Sequence, residues 1–262
     1  MAVRPATVSK PLNIYQIKLD RAALDRLPTD TRRTVLLFGH VANEINTLNR
    51  LLIFSMRKQE DPIMALFGEA RAATIARLLI GTTREGYIAV ERHILKGKFG
   101  KTYLGYLEKE GQDQLANVKK HLSNMKLMAA LRNGFAFHFP DHDQIDQAYA
   151  RLSADLDLSI YSGTPRHSSC YLMSSLMVTR GMLDCVEPPK PDQAPALSDE
   201  AAMGRIVDDT LAKSADLNDF IESLLMTIVE REGLSPAAAD KVLTVDTHES
   251  MKTFAIPPLL RS

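Results

Sequence analysis

The chain has 262 residues, enough for one substantial helical domain with or without an appendage. Hydrophobic residues make up 45% of it and charged residues 24%, which excludes wholesale disorder. Its 32 lysines and arginines balance 32 aspartates and glutamates, which argues against tight binding of nucleic acid through net charge alone. The only cysteines, Cys170 and Cys185, form no CxxC, so they are expected to be small buried hydrophobes rather than part of a disulfide framework or zinc knuckle. The opening Met1-Ala2-Val3-Arg4-Pro5 carries no apolar signal region, and no apolar run approaches the length of a membrane span. The expected location is the cytoplasm, with no membrane association.

Residues 1–30 contain Pro5, Pro11 and Pro28 with little periodicity and are expected to form an irregular arm. Asp30 or Thr31 then caps a predicted helix to about Gln59, whose Leu37, Val41, Ile45, Leu48 and Leu52 recur at spacings of three and four. Asp61-Pro62 ends it, and a second helix is predicted over residues 63–95 with Ala65, Ala72, Ile75, Leu79, Ile88 and Val90 on its apolar side. The basic run at residues 96–101 lacks the glycine spacing and terminal Lys-Ser/Thr of a phosphate-binding loop and is expected to be a turn. Leu115, Val118, Leu122, Met125, Met128 and Leu131 restore the helical spacing, which puts Arg132 at a helix C-terminus. A further helix is predicted over residues 141–153, and Leu156, Leu158 and Ile160 alternate as a short strand or extended crossing does. Ser168 caps a predicted helix to about Asp184. Four prolines within residues 187–195 mark a linker. Beyond it Ser198 opens a long acidic helix to about Glu232, stopped by Gly233, with Ile206, Leu211, Leu217, Phe220, Leu224 and Ile228 needing either the bundle or a dimer partner to cover them. One short helix and a loose tail are expected after Ser235-Pro236. The resulting division is an arm at 1–30, a helical bundle at 31–186, a proline-rich linker at 187–196 and an acidic C-terminal extension and tail at 197–262.

The segment Leu131-Arg132-Asn133-Gly134-Phe135-Ala136-Phe137-His138-Phe139-Pro140 sets an arginine and a histidine six positions apart. On an unbroken helix they would point about 120° apart, because each residue advances the azimuth by about 100°. Asn133-Gly134 is a helix stop signal, with glycine free to take a positive φ, and Pro140 resists continuation. A turn there is expected to bring His138 back beside Arg132. A permanently charged guanidinium next to a group that titrates near neutrality suits a phosphodiester, the first neutralising phosphate and the second moving a proton. Between Arg84 and Arg132 ten basic residues stand against five acidic ones, so a basic segment leads to this turn; solvated helix faces are the plainer account of those lysines.

Arg132-Asn133, four further residues and His138 resemble the Arg-X(4–6)-His motif of HEPN domains, in which Asn, Asp or His commonly follows the arginine. The resemblance extends over residues 31–186. It implies an all-α, up-and-down helical bundle, usually a homodimer with the two sites facing one cleft. It also implies a metal-independent ribonuclease of the kind found in toxin–antitoxin and phage-defence systems. Arg132 would stabilise the phosphorane, His138 carry the proton and Asn133 orient the histidine or bind a phosphate oxygen. RNA is then the expected substrate, an antitoxin or regulatory protein a further partner, and no cofactor or metal is called for. The rival expectation is a noncatalytic helical dimerisation or regulatory module, in which Asn133 caps a helix, Arg132 pairs with a nearby carboxylate and His138 is a hydrogen-bonded core residue.

Other constellations are thinner. His138, Asp141, His142 and Asp143 supply metal-compatible atoms, but Pro140 breaks the helix that would align the two histidines. His40, Asn43 and Glu44 fall on one part of the first helix and are expected to face solvent. Arg92-His93 has no diagnostic spacing, and His167 beside Ser168-Ser169-Cys170 lacks the Gly-x-Ser-x-Gly elbow of a hydrolase. The eleven methionines read as adaptable core filling.

Overall fold

A heptad of buried positions, Thr31, Phe38, Ile45 and Leu52, sets the inner face of the first long helix, α2 (Thr29–Ser55), which α1 (Arg21–Arg26) precedes. The computed structural model describes residues 12–57, 59–137, 140–162, 169–186, 197–234 and 240–245. The first apolar residue of that face is Phe38, which is fully buried, rather than the predicted Leu37, which is 37% exposed. A seven-residue repeat explains the difference, since Phe38 continues the line through Ile45 and Leu52 while Leu37 lies about 100° off it. α3 (Pro62–Ala89) starts where Pro62 and the Asp61 side chain, accepting from the Met64 amide at 2.9 Å, favour a first turn. It runs without a break into a π-helical turn, Val90–Leu95.

The basic run at 96–101 is a turn only at its start. α4 (Lys98–Tyr103) begins inside it, and added β-carbons would lie 2.3 Å from the His93 carbonyl oxygen at Gly97 and 2.0 Å from that of Ile94 at Gly100. Two backbones therefore approach as closely as glycine alone permits. The single helix predicted to reach Arg132 is two: α5 (Lys109–Leu122) and α6 (Lys126–Leu131). α7 (His142–Tyr149) has a capping box between Asp141 and Gln144, and α8 (Leu172–Val186) follows a two-stranded hairpin of β2 (Ile160–Ser162) and β3 (Ser169–Tyr171). Ser168, the expected cap of α8, lies outside the described residues.

α9 (Asp199–Arg231) starts as predicted, with the Ser198 hydroxyl accepting from the Ala201 amide. It stops at Gly233, whose φ of 61° lets the Gly233 amide reach the Glu230 carbonyl and the Leu234 amide reach that of Val229. Its buried Ile206, Leu217, Phe220, Ile221, Leu224 and Ile228 join the same core as Phe38, Ile45, Leu79 and Tyr87, so α9 covers its apolar face on the bundle. Gly86 marks a close crossing of α3 with α2 and α9: an added β-carbon would meet Leu217 at 2.8 Å and Val41 at 3.0 Å. The fold is all-α apart from two small antiparallel pairs.

Within residues 1–30, expected to be irregular, the described part contains α1 and a strand, β1 (Leu12–Gln16). β1 pairs with β4 (Asp240–Val245), where a short helix and loose tail were expected, and a register shift falls between Ile14 and Tyr15. α1 is fastened by Ala23 and Leu27 against Val229 and Leu234 at the end of α9. The proline-rich segment 187–196 lies outside the described residues, but the elements on either side are stapled: Arg180 on α8 donates to Asp184 at 3.2 Å and to Asp199 on α9 at 2.7 Å.

A candidate site at the Arg132 turn

The chain does not stop at Asn133-Gly134. α6 widens into a π-helical turn, Arg132–Ala136, and Gly134 keeps a negative φ, so the stop signal and left-handed glycine expected there are both corrected. A π-turn inserts one extra residue per turn into a helix, and such turns recur at functional sites. Three positions on α3 spaced four apart, Arg77, Gly81 and Glu85, receive it. Arg77 Nη1 donates to the Phe135 carbonyl at 3.0 Å. Gly81 leaves room for the Phe137 ring, whose edge would lie 2.6 Å from an added β-carbon. Glu85 takes Arg132.

Arg132 is firmly oriented and still reachable. Its Nε and Nη2 donate to one oxygen of Glu85, Oε1, at 3.0 and 2.7 Å, and its Nη1 donates to Asn133 Oδ1 at 3.0 Å. These three bonds use three of the five guanidinium N–H groups and leave one on each terminal nitrogen. The Arg132 side chain is 31% exposed, so those donors have access to solvent. Asn133 is exposed and holds the arginine instead of capping a helix. His138 lies outside the described residues, so the expected approach of His138 to Arg132 has no geometry to set beside it.

Sequence reasoning missed Glu85 and Arg77. A signal for them existed in the i, i+4, i+8 stripe of Arg77, Gly81 and Glu85, which places two charged residues and a gap on one helix face. It also missed a polar pair between α5 and α9, where His121 Nε2 lies 2.6 Å from Asp216 Oδ2 and the His121 ring meets Tyr87 edge-on at 6.2 Å. Tyr87 donates to the Lys213 carbonyl at 3.0 Å, and burial, then Asp216 and Asp209, push its phenol well above the usual range. Lys213 itself is buried and bonded to Asp209 at 2.5 Å, as a buried ammonium requires.

The other candidates resolve simply. Asp141 spends its carboxylate capping α7, His142 is exposed, and among the described residues no three His, Cys, Asp or Glu groups gather as a metal site would require. His40 and Glu44 form an exposed contact at 3.8 Å. His167 and Ser168 lie outside the described residues, and burial raises the Cys170 thiol above its usual range, which disfavours the nucleophilic thiolate. Among the described residues no helix is long and apolar enough to cross a membrane.

No family model, curated protein or solved structure matches this chain. The functional reading therefore rests on the motif and on the geometry around Arg132.

Proposed function

We propose that this chain is a HEPN-like RNA-cleaving or RNA-binding protein of a toxin or phage-defence system, acting without a metal. The supporting observation is the guanidinium of Arg132, fixed by Glu85 and Asn133 yet keeping one N–H on each terminal nitrogen. That pair matches two oxygens of one phosphate, and preorganised donors stabilise the charge that develops on a phosphorane. In the reaction the 2′-hydroxyl attacks the adjacent phosphorus as a base takes its proton, and the 5′-oxygen leaves with a proton from an acid. His138 is assigned the proton transfers, Arg132 the phosphate and Asn133 the orientation of Arg132. A cytoplasmic homodimer with two such sites facing one cleft, and an antitoxin or regulatory protein as partner, belong to the same reading.

A second reading has an observation of its own. The Arg132–Glu85 ion pair joins two helices 47 residues apart in sequence, as the corner of a noncatalytic dimerisation or regulatory module would. Incubating purified protein with RNA, with and without EDTA, separates the two. The proposed activity gives products ending in a 2′,3′-cyclic phosphate, is blocked by a 2′-deoxy substitution at the scissile position and is indifferent to chelator. Arg132→Ala and His138→Ala abolish it, while Arg132→Lys loses most of it because an ammonium cannot hold two oxygens in one plane. A folded protein that neither cleaves RNA nor binds it with an affinity that falls with salt belongs to the second reading. Sedimentation at a mass near 29.1 kDa would count against the dimer with facing sites.

A further inference from the structure

A groove of about 300 Å³, with Arg132 outside its lining, opens between α3, α7 and α8. Its apolar walls include Ala73, Ile145 and Val178, and its polar lining includes Arg77, Ser174 and Ser175. We propose that this groove binds a small organic anion, a carboxylate or phosphate carried on an apolar body, with Arg77 as its counter-charge.

Arg77 projects from α3 into the groove's lining. Its guanidinium is half-buried, and that burial pulls its pKa below the usual arginine value, with no neighbouring carboxylate offsetting the loss of water. Its one protein acceptor among the described residues is the Phe135 carbonyl, which engages one of five N–H groups. A charge desolvated this far is ordinarily paired, as Arg132 is with Glu85 and as Arg151 and Arg180 are with Asp184. The counter-charge that no described residue gives Arg77 is what an anionic ligand supplies, and the groove is where it has room.

The lining selects further. The Thr74 hydroxyl donates to the Ala70 carbonyl at 3.1 Å, so it offers an entering anion no hydrogen; Ser174 and Ser175, on the first turn of α8, offer hydroxyls near the positive end of a fifteen-residue helix. Alanines and aliphatic side chains on the walls suit the body of the ligand rather than its charge. The volume lies at the small end of ligand pockets, roughly 300–1,000 Å³, which fits a single ring with an acidic group rather than a nucleotide. Arg132 is not part of the lining, so this site stands or falls separately from RNA cleavage.

Benzoate, phenyl phosphate and the uncharged benzyl alcohol serve as probes, with binding followed by titration calorimetry on the full chain. Saturable binding of benzoate or phenyl phosphate in the millimolar range or tighter is expected, with benzyl alcohol about tenfold weaker; which anion binds better tells carboxylate from phosphate. Arg77→Met removes the counter-charge and Ala73→Leu fills the wall, and each weakens the preferred anion by about tenfold or more. Ala73→Leu decides the matter should Arg77→Met fail to fold, and Arg132→Ala leaves anion affinity unchanged. No saturable binding of either anion overturns the proposal, as does wild-type affinity in Ala73→Leu, which would put the anion elsewhere.

Discussion

The two glycines that face aromatic rings across the π-turn differ in what a methyl group would displace. At Gly181 an added β-carbon would lie 2.5 Å from the ring of Phe135, which is 5% exposed and has nowhere to go. At Gly81 it would lie 2.6 Å from the ring of Phe137, which is 47% exposed and can swing outward. Both substitutions gain up to about 1 kcal/mol of helix propensity. Overpacking a core costs about 1–3 kcal/mol, so Gly181→Ala is expected to lower stability by about 1–2 kcal/mol and Gly81→Ala to leave it nearly unchanged. Urea midpoints measure both, and equal losses would contradict the difference in room. Asp219 supplies a test in pH. Partial burial, then the neighbouring carboxylates Asp216 and Glu110, raise its pKa above the ordinary aspartate value. A carboxyl raised in the folded state contributes stability below its unfolded pKa of about 3.9 and loses that contribution as pH rises through the folded value. Asp219→Asn removes this titration, so the variant should gain on the wild type between pH 4 and 7, read from urea midpoints across that range. A constant offset would show that Asp219 is not strained by its neighbours.

Among the elements α9 ties three others together, since it packs along α2, α3 and α5 at once. Each of its six fully buried aliphatic or aromatic residues is worth roughly 1.5–3 kcal/mol of burial, together as much as the 5–15 kcal/mol net stability of a typical domain. Leu217→Ala, at the crossing with Gly86, should therefore cost about 2–5 kcal/mol, and a chain cut at residue 197 should show no cooperative thermal transition. A cooperative transition in the shortened chain would make α9 a separable appendage. α2, α3 and α9 were legible in the sequence because their apolar residues recur at three and four and their ends carry Asp61-Pro62, Ser198 and Gly233. The break between α5 and α6 was not legible, because buried Met125 keeps the helical spacing across it and neither glycine nor proline marks it. The π-turns leave no periodic trace either: one extra residue moves the following side chains by about 100°, which resembles a small slip of the apolar stripe. At the site, Arg132 and Asn133 could be chosen from a short motif, whereas Glu85 could be named as the partner only once α3 and α6 were known to be neighbours.

At the scale of the whole molecule, the pairing of β1 with β4 joins residues 12–16 to residues 240–245, the most distant contact in sequence that the described fold contains. Apart from the β2–β3 pair, the other elements pack through helices whose partners lie nearer along the chain or inside one shared core. Contacts between remote segments bear the largest loop-closure cost and form late unless other structure has already drawn them together. Here the bundle does so, since α1 and the end of α9 meet in a small apolar cluster next to both strands in the chain. The order of events in folding follows: helices first, strand pairing last. Pulsed hydrogen exchange during refolding should find the amides of α3 and α9 protected before those of β1, and simultaneous protection would show that the ends close with the core. On a ribosome the order is enforced more strictly, because β1 precedes α1 to α9 in the chain and β4 follows them. Until β4 is made, β1 has hydrogen-bonding groups with no strand to meet them, and an unpaired edge invites pairing with other chains. The time between the first strand leaving the ribosome and its partner arriving is therefore the interval in which this protein is most exposed to aggregation.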